Sequence, residues 1–203
     1  MSVVFGYVEK DSVYLVSDNR ITDIDGNFVS DDDIKIEVVN NKTAVAFAGN
    51  YAAQNFFLKC YKERPGYQNW FVNDLASNIW SMCDAITKMD MDWAKAIANS
   101  IACFLVAGKT KDNEIKLFAV TLKQGHIDLK EVPMMLFQPA DCDFNMCANI
   151  LCKNIKQHFK DFPKRTIQEI SKLSDLVSDS GNMWMYDMKM DESKFCLLYT
   201  SPS

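Results

Sequence analysis

The chain has 203 residues, of which 48% are hydrophobic, so it can bury one substantial core, and we predict a single domain over residues 1–203. Its 22 basic and 27 acidic residues give a net charge of −5, which argues against a nucleic-acid partner because phosphate binding needs a basic surface. The apolar runs are shorter than the roughly 20 residues that cross a membrane, so we also expect no membrane partner.

The N-terminus and the cysteines favour a soluble protein in a reducing, cytoplasmic compartment. The segment Met1–Gly6 lacks the basic residues that begin a secretory signal. Seven is an odd number of cysteines, and none of them forms a Cys-x-x-Cys pair. We therefore predict reduced core thiols rather than a disulfide framework. The seven are Cys60, Cys83, Cys103, Cys142, Cys147, Cys152 and Cys196.

The residues that usually hold metals and cofactors are sparse. His126 and His158 are the only histidines, and neither has a second ligand at metal-binding spacing. The seven glycines form no phosphate-binding loop. We expect no metal and no cofactor.

The first half of the chain predicts strands followed by helices. Runs of β-branched and aromatic residues predict four strands, over Val3–Val8, Ser12–Ser17, Ile34–Val39 and Thr43–Ala48. The fourth is apolar on both faces, which is typical of a strand covered on both sides. Asn50 predicts the N-cap of a first helix, which ends before Pro65. The apolar face of a second helix carries Phe71, Leu75, Ile79, Met82 and Ile86, and residues 88–99 leave its continuation open.

The second half repeats this order. Strands are predicted over Ile101–Ala107, Ile115–Leu122, Ile127–Val132 and Met134–Phe137. One helix is predicted from Phe144 to Phe159, and Pro163 separates it from another that begins at a Thr166 cap and reaches Val177. Final strands are predicted over Met183–Met188 and Phe195–Tyr199. Buried strands and paired helices in this order predict an α/β fold of the α+β kind with four layers, an αββα sandwich of two mainly antiparallel sheets between helical layers.

Three local features in the first fifty residues can carry chemistry. Ser2 follows the initiator methionine, and a small second residue permits removal of that methionine, which would give Ser2 both a hydroxyl and a free α-amine. A charged and hydroxylated cluster, Ser17–Thr22, ends the second predicted strand. Lys35 precedes the hairpin that leads into Phe47, Ala48 and Gly49.

Together these segments resemble the N-terminal-nucleophile hydrolases of the proteasome β-subunit type, and they are equally similar to the peptidase subunit of the bacterial two-component ATP-dependent protease. The spacing matches with a single extra residue between Asp18 and Lys35. The later element order agrees as well, including a helix that ends near a Ser-Gly pair. The segments that carry the resemblance are Ser2–Gly6, Leu15–Thr22, Lys35–Ile36, Ala46–Gly49 and Ser180–Gly181.

The resemblance implies a peptidase or other amidohydrolase in which Ser2 is the nucleophile and its own α-amine is the base. An α-amine has an ordinary pKa of about 7.7–8.0, so it can accept a proton near neutral pH. Lys35 would hold positive charge beside the nucleophile, Asp18 would orient Lys35, and the Gly49 N–H would face the oxyanion. It further implies three residues that contact the substrate, which are Arg20, Thr22 and Ser180.

The resemblance also implies a homo-oligomer assembled as a ring, with an ATPase as partner. Several departures from the family keep a catalytically inactive structural or interaction subunit of the same fold as an alternative. Serine replaces the usual threonine nucleophile, Gln138–Asp143 stands where a serine-glycine-glycine turn is expected, and Val177 stands where an acid is expected. Asp141 or Asp143 is a candidate to replace part of that turn. An unrelated α/β binding module is the third reading, and it requires Ser2, Asp18, Lys35 and Gly49 to be far apart.

Overall fold

Two five-stranded antiparallel sheets form the centre of the molecule. A computed structural model describes residues 2–23 and 26–198. In the first sheet the order is β10-β1-β2-β11-β12, with β1 Val4–Glu9, β2 Ser12–Asp18, β10 Met134–Phe137, β11 Gly181–Asp187 and β12 Glu192–Leu198. In the second the order is β5-β6-β7-β8-β9, with β5 Ile36–Asn40, β6 Thr43–Gly49, β7 Ile101–Lys109, β8 Ile115–Lys123 and β9 His126–Glu131. A short ladder joins β3 Ile21–Thr22 to β4 Phe28–Ser30.

Helices cover the outer face of each sheet. Against the second sheet lie α1 Tyr51–Lys62, α2 Val72–Lys88 and α3 Asp92–Ala98, with a 3₁₀ turn at Tyr67–Asn69. Against the first sheet lie α4 Phe144–Gln157 and α5 Phe162–Ser171. None of the helices formed by residues 2–23 and 26–198 is long and apolar enough to cross a membrane.

Three apolar cores separate the four layers. Leu15, Leu105 and Trp184 meet between the two sheets. The second core joins the second sheet to α1–α3, where the rings of Phe57 and Phe104 meet edge to face with centroids 4.7 Å apart. The third core joins the first sheet to α4 and α5. The predicted four-layer αββα sandwich of antiparallel sheets is therefore confirmed.

Local sequence accounts for most element boundaries. The N-cap predicted at Asn50 is present, because its side-chain oxygen accepts the N–H of Ala53 at 3.0 Å. Strand β6 is buried on both faces from Thr43 to Ala48, as its apolar composition predicts. Residues 88–99, for which the sequence leaves a helical continuation open, do not continue α2. Helix α2 ends at Lys88 with Met89 as its C-cap, and a separate short helix, α3, follows.

The predicted extent of the last helix is wrong. Helix α5 begins at Phe162 and ends at Ser171, so Pro163 lies in its first turn, where proline needs no N–H partner. Thr166 is a buried residue inside α5 and accepts a hydrogen bond from Asn154 in α4, at 3.4 Å. The last strand begins earlier than predicted, at Glu192, and Tyr199 lies outside the described residues.

Candidate active site

A buried ion pair joins the end of β2 to the segment before β5. The Lys35 ammonium lies 3.3 Å from Asp18 Oδ1, and the side chains of the two residues are 6% and 0% exposed. The same ammonium donates to the backbone oxygens of Asp18 at 2.9 Å and Arg20 at 2.7 Å. Since an ammonium carries three protons, these contacts engage all of them and hold Lys35 in one orientation.

Asp18 also anchors the N-terminal segment. Its Oδ1 accepts the N–H of Val3 at 3.0 Å, and its own N–H donates to the Val3 carbonyl at 3.1 Å. Its Oδ2 accepts the N–H of Arg20 at 2.9 Å. Burial raises the pKa of the Asp18 carboxyl, and the charge of Lys35 opposes that rise. The residue that holds the cation therefore also fixes the backbone that carries Ser2.

Gly49 ends β6 in a conformation that requires glycine. Its φ is +97°, and a Cβ at this position would lie 2.2 Å from the carbonyl oxygen of Ile101. The Phe47 N–H donates to the Lys35 carbonyl at 2.9 Å. Successive N–H groups of a strand point to opposite sides, so the Gly49 N–H points to the same side as the Phe47 N–H. That side faces β5, but β5 begins only at Ile36, so the Gly49 N–H lies past the end of that strand.

These groups meet at an open cleft of about 320 Å³, which falls in the range typical of small-ligand sites. Ser2, Lys35 and Gly49 line the cleft, and Asp18 is buried beneath it as the partner of Lys35. Three residues separated by up to 47 positions in the sequence thus line one space, and the fourth lies directly behind one of them. The third reading, an unrelated module with these residues far apart, does not agree with this arrangement.

The predicted substrate-contacting residues have different surroundings. Arg20 and Thr22 line the cleft. The Arg20 guanidinium, however, binds both carboxylate oxygens of Asp31, each at 2.8 Å, and the carbonyl oxygen of Asp175 at 2.7 Å. Its charge is thereby engaged by protein groups. Thr22 lies in β3 and pairs with Phe28 of β4.

Ser180 is not among the residues that line the cleft, and its hydroxyl belongs to a neighbouring polar network. Ser180 Oγ lies 3.5 Å from the side-chain nitrogen of Asn19. The buried Ser178 hydroxyl accepts the N–H of Asn19 at 3.2 Å and donates to the Ser180 carbonyl at 2.6 Å. Asn182 donates a short hydrogen bond to the Asn19 side chain. This network joins Asn19, which follows Asp18, to residues 178–182, which lie about 160 positions later in the sequence.

The segment in place of the expected turn has local structural roles. Asp143 is the N-cap of α4 and accepts the N–H of Met146 at 3.0 Å. Asp141 accepts a hydrogen bond from the Ser174 hydroxyl at 2.7 Å. Val177, where an acid is expected, is buried in the core beneath α5. None of these three residues lines the cleft.

Sequence reasoning missed several residues of the site. Asp33 lines the cleft two positions before Lys35, and Ser178 supports Asn19 from below. Asp33 could have been identified from the sequence because it lies two positions before Lys35, and side chains two residues apart in an extended segment share one face. The other cleft residues that the sequence did not single out are Asp23, Tyr51, Ala52 and Gln54.

No protein-family model matches the chain, and no curated protein is similar enough in sequence to show a relationship. Within residues 2–23 and 26–198, no cluster of three or more histidine, cysteine or acidic side chains is arranged to hold a metal ion.

Proposed function

We propose that this chain is an N-terminal-nucleophile amidohydrolase of the proteasome β-subunit kind, which cleaves peptides or other amides with Ser2 as nucleophile. The observation that carries the proposal is the single cleft that Ser2, Lys35 and Gly49 share, above the buried carboxylate of Asp18. We further propose that the protein is cytoplasmic, that it forms a homo-oligomeric ring and that an ATPase delivers its substrates. The cytoplasmic location rests on the pattern of cysteines in the sequence, and the ring and the ATPase rest on the family resemblance alone.

In this mechanism, removal of Met1 frees the Ser2 α-amine. Ser2 Oγ attacks the substrate carbonyl carbon while the α-amine takes the hydroxyl proton. The oxyanion forms towards the Gly49 N–H, and the Lys35 charge lowers the energy of the negative intermediate. The C–N bond then breaks, and the α-ammonium returns its proton to the leaving amine. Water attacks the acyl ester, with the amine again as base, and releases the carboxylic acid and Ser2.

The environment of Lys35 supports an electrostatic role. Its three donors are engaged by the Asp18 carboxylate and by two backbone oxygens, which fixes the ammonium in one position beside the cleft. A nearby cation also favours the neutral form of an α-amine, which is the form that accepts a proton. In this mechanism Lys35 supplies positive charge beside the nucleophile, and the Ser2 α-amine accepts the proton.

The proposal is tested by intact mass and peptide turnover together. We expect the protein from a methionine-processing host to lack Met1 and to cleave amide substrates. Ser2→Ala should reduce turnover by at least about 10³-fold, whereas Ser2→Thr should retain it because the hydroxyl and amine persist. Ser12→Ala, at the far end of β2, is the matched control and should cleave at the unaltered rate. Full turnover by Ser2→Ala, or by protein that keeps Met1, would overturn the proposal.

A second candidate is a catalytically inactive subunit of the same fold. The observation that favours it is the use of Asp141 and Asp143 for loop and helix contacts, which leaves the expected serine turn without a counterpart in the cleft. Protein that keeps Met1 in its native host and cleaves no peptide would support this candidate over the first.

A further inference from the structure

The extended segment before β5 presents alternate side chains to the protein interior. Asp31 and Asp33 are partly buried and Lys35 is buried, whereas Asp32 and Ile34 between them are exposed. This alternation follows from the two-residue period of an extended chain. Asp33 therefore faces the same side as Lys35 and lines the cleft with it.

The two basic side chains at the cleft, Arg20 and Lys35, are each bound by a carboxylate. Arg20 is bound by Asp31 through two parallel hydrogen bonds, and Lys35 is bound by Asp18. Among the described residues, Asp33 has no cationic partner within 4.0 Å. Burial raises the pKa of its carboxyl, and the Lys35 charge opposes that rise. The remaining acidic residue of the cleft, Asp23, accepts hydrogen bonds from Asn27 and has further contacts.

The backbone of Asp33 is held from both sides, which keeps its carboxylate at the cleft. Its N–H donates to the Asn19 carbonyl at 3.2 Å, and its own carbonyl accepts a hydrogen bond from the Asn182 side chain at 3.4 Å. Both contacts use main-chain atoms of Asp33. Substitution of the side chain therefore leaves them in place.

We propose that Asp33 is a specificity-determining residue that selects substrates with a lysine or arginine side chain on the acyl side of the cleaved bond. The inference rests on the proposed function, because it takes the cleft as the substrate site. A half-buried carboxylate that has no cation within 4.0 Å among the described residues gains from a ligand that brings a cation to it. Ile21 and Tyr51 line the same cleft and are not buried, so their apolar surface is available to the methylene stem of such a side chain.

The test measures binding separately from cleavage. Two blocked tetrapeptide amides that differ only in a final lysine or norleucine are titrated into the Ser2→Ala variant, which cannot turn them over. We expect the lysine peptide to bind about tenfold more tightly, and Asp33→Asn in the same background to make the two affinities equal. Asp32→Asn removes an adjacent but exposed charge, and it should keep the preference. Asp33→Lys should reverse the preference towards a glutamate peptide.

The outcomes separate this inference from the proposed function. Equal affinities with Asp33 intact, absence of binding by either peptide, or an equal loss in Asp32→Asn would overturn the role of Asp33. If the lysine preference depends on Asp33 but the protein with Ser2 intact cleaves neither peptide, the role of Asp33 is supported and the peptidase proposal is contradicted. If the protein binds both peptides equally and cleaves them at equal rates, the peptidase proposal is supported and the role of Asp33 is contradicted.

Discussion

At the scale of single residues, the pairing of Lys35 with Asp18 is the most constrained interaction of the cleft. A charge without exposed surface is tolerated only when an opposite charge and hydrogen bonds replace water. Asp18 meets this condition with Lys35 and the N–H groups of Val3 and Arg20. The site therefore depends on both members of the pair for its stability as well as for its charge.

Removal of Lys35 should destabilise the fold strongly. Lys35→Ala leaves the Asp18 carboxylate buried without its cation, so we expect the free energy of unfolding to fall by about 3–5 kcal/mol. The measurement is urea denaturation followed by circular dichroism. Lys88→Ala, which breaks a pair with Asp84 in which Lys88 is 71% exposed, is the control and should change stability by less than about 1 kcal/mol.

A double substitution tests the cause of that loss. Lys35→Met with Asp18→Asn removes both charges. The double variant should therefore lose clearly less free energy of unfolding than Lys35→Met alone and Asp18→Asn alone lose in sum. If the losses of the two single variants add up to that of the double variant, the two side chains do not interact. A loss for Lys35→Ala no larger than that for Lys88→Ala would contradict the buried pair.

At the scale of elements, the cleft forms where strands end. Strand β2 ends at Asp18, β6 ends at Gly49, and β5 begins immediately after Lys35. Backbone groups at strand ends have no ladder partner on one side, so they can face a ligand. The turn from β6 into α1 depends on Gly49, since the carbonyl of Ile101 approaches where a side chain would lie.

Two glycine substitutions separate backbone conformation from steric space. Gly49 and Gly66 both have positive φ, +97° and +76°, but only the Cβ of an alanine at Gly49 would meet backbone, whereas the space around Gly66 is open to 4 Å. We expect Gly66→Ala to cost about 1 kcal/mol, and Gly49→Ala to cost about 3 kcal/mol or more because a clash adds to the strain. Thermal unfolding measures both. Equal costs would mean that the chain at Gly49 moves away from Ile101 freely.

At the scale of the whole molecule, the four layers bury cysteines in all three cores. Cys103 lies between the sheets, Cys83 beneath α2 and Cys147 beneath α4. All seven cysteines are free thiols. The structure therefore places three of the cysteines in the core, and their reduced state stays a prediction.

Burial should protect these three thiols from alkylation. Burial raises the pKa of Cys83 to about 12 and those of Cys103 and Cys147 to about 11, so at pH 8 the reactive thiolate is scarce. The thiolate fraction, and with it the rate, should rise as the pH increases towards those values. Peptide mapping after iodoacetamide at pH 8 should leave the three unmodified in the native protein and label them in urea. Rapid native labelling of Cys83 would contradict the packing of α2 on the second sheet.

The sequence by itself determined the elements whose signals are local. Two-residue alternation and turn residues located the hairpin strands, helical periodicity located α2 and α4, and the side chain of Asn50 marked the start of α1. Their order was enough to predict four layers, because apolar faces of strands and helices must cover one another. A common site for Ser2, Asp18, Lys35 and Gly49 was implied by the resemblance of these segments to the proteasome β-subunit type.

Only the tertiary structure decided what depends on contacts between distant segments. The start of α5 was missed because Pro163 reads locally as a break, whereas packing against the first sheet makes it part of the first helical turn. Ser178 was missed because its role comes from a hydrogen bond to Asn19, 159 positions away. Asp33 was missed because its role comes from its place in the cleft. The engagement of Arg20 by Asp31 likewise follows from geometry. Charge pairing and cleft shape are set by distances in space, which residue type and periodicity do not encode.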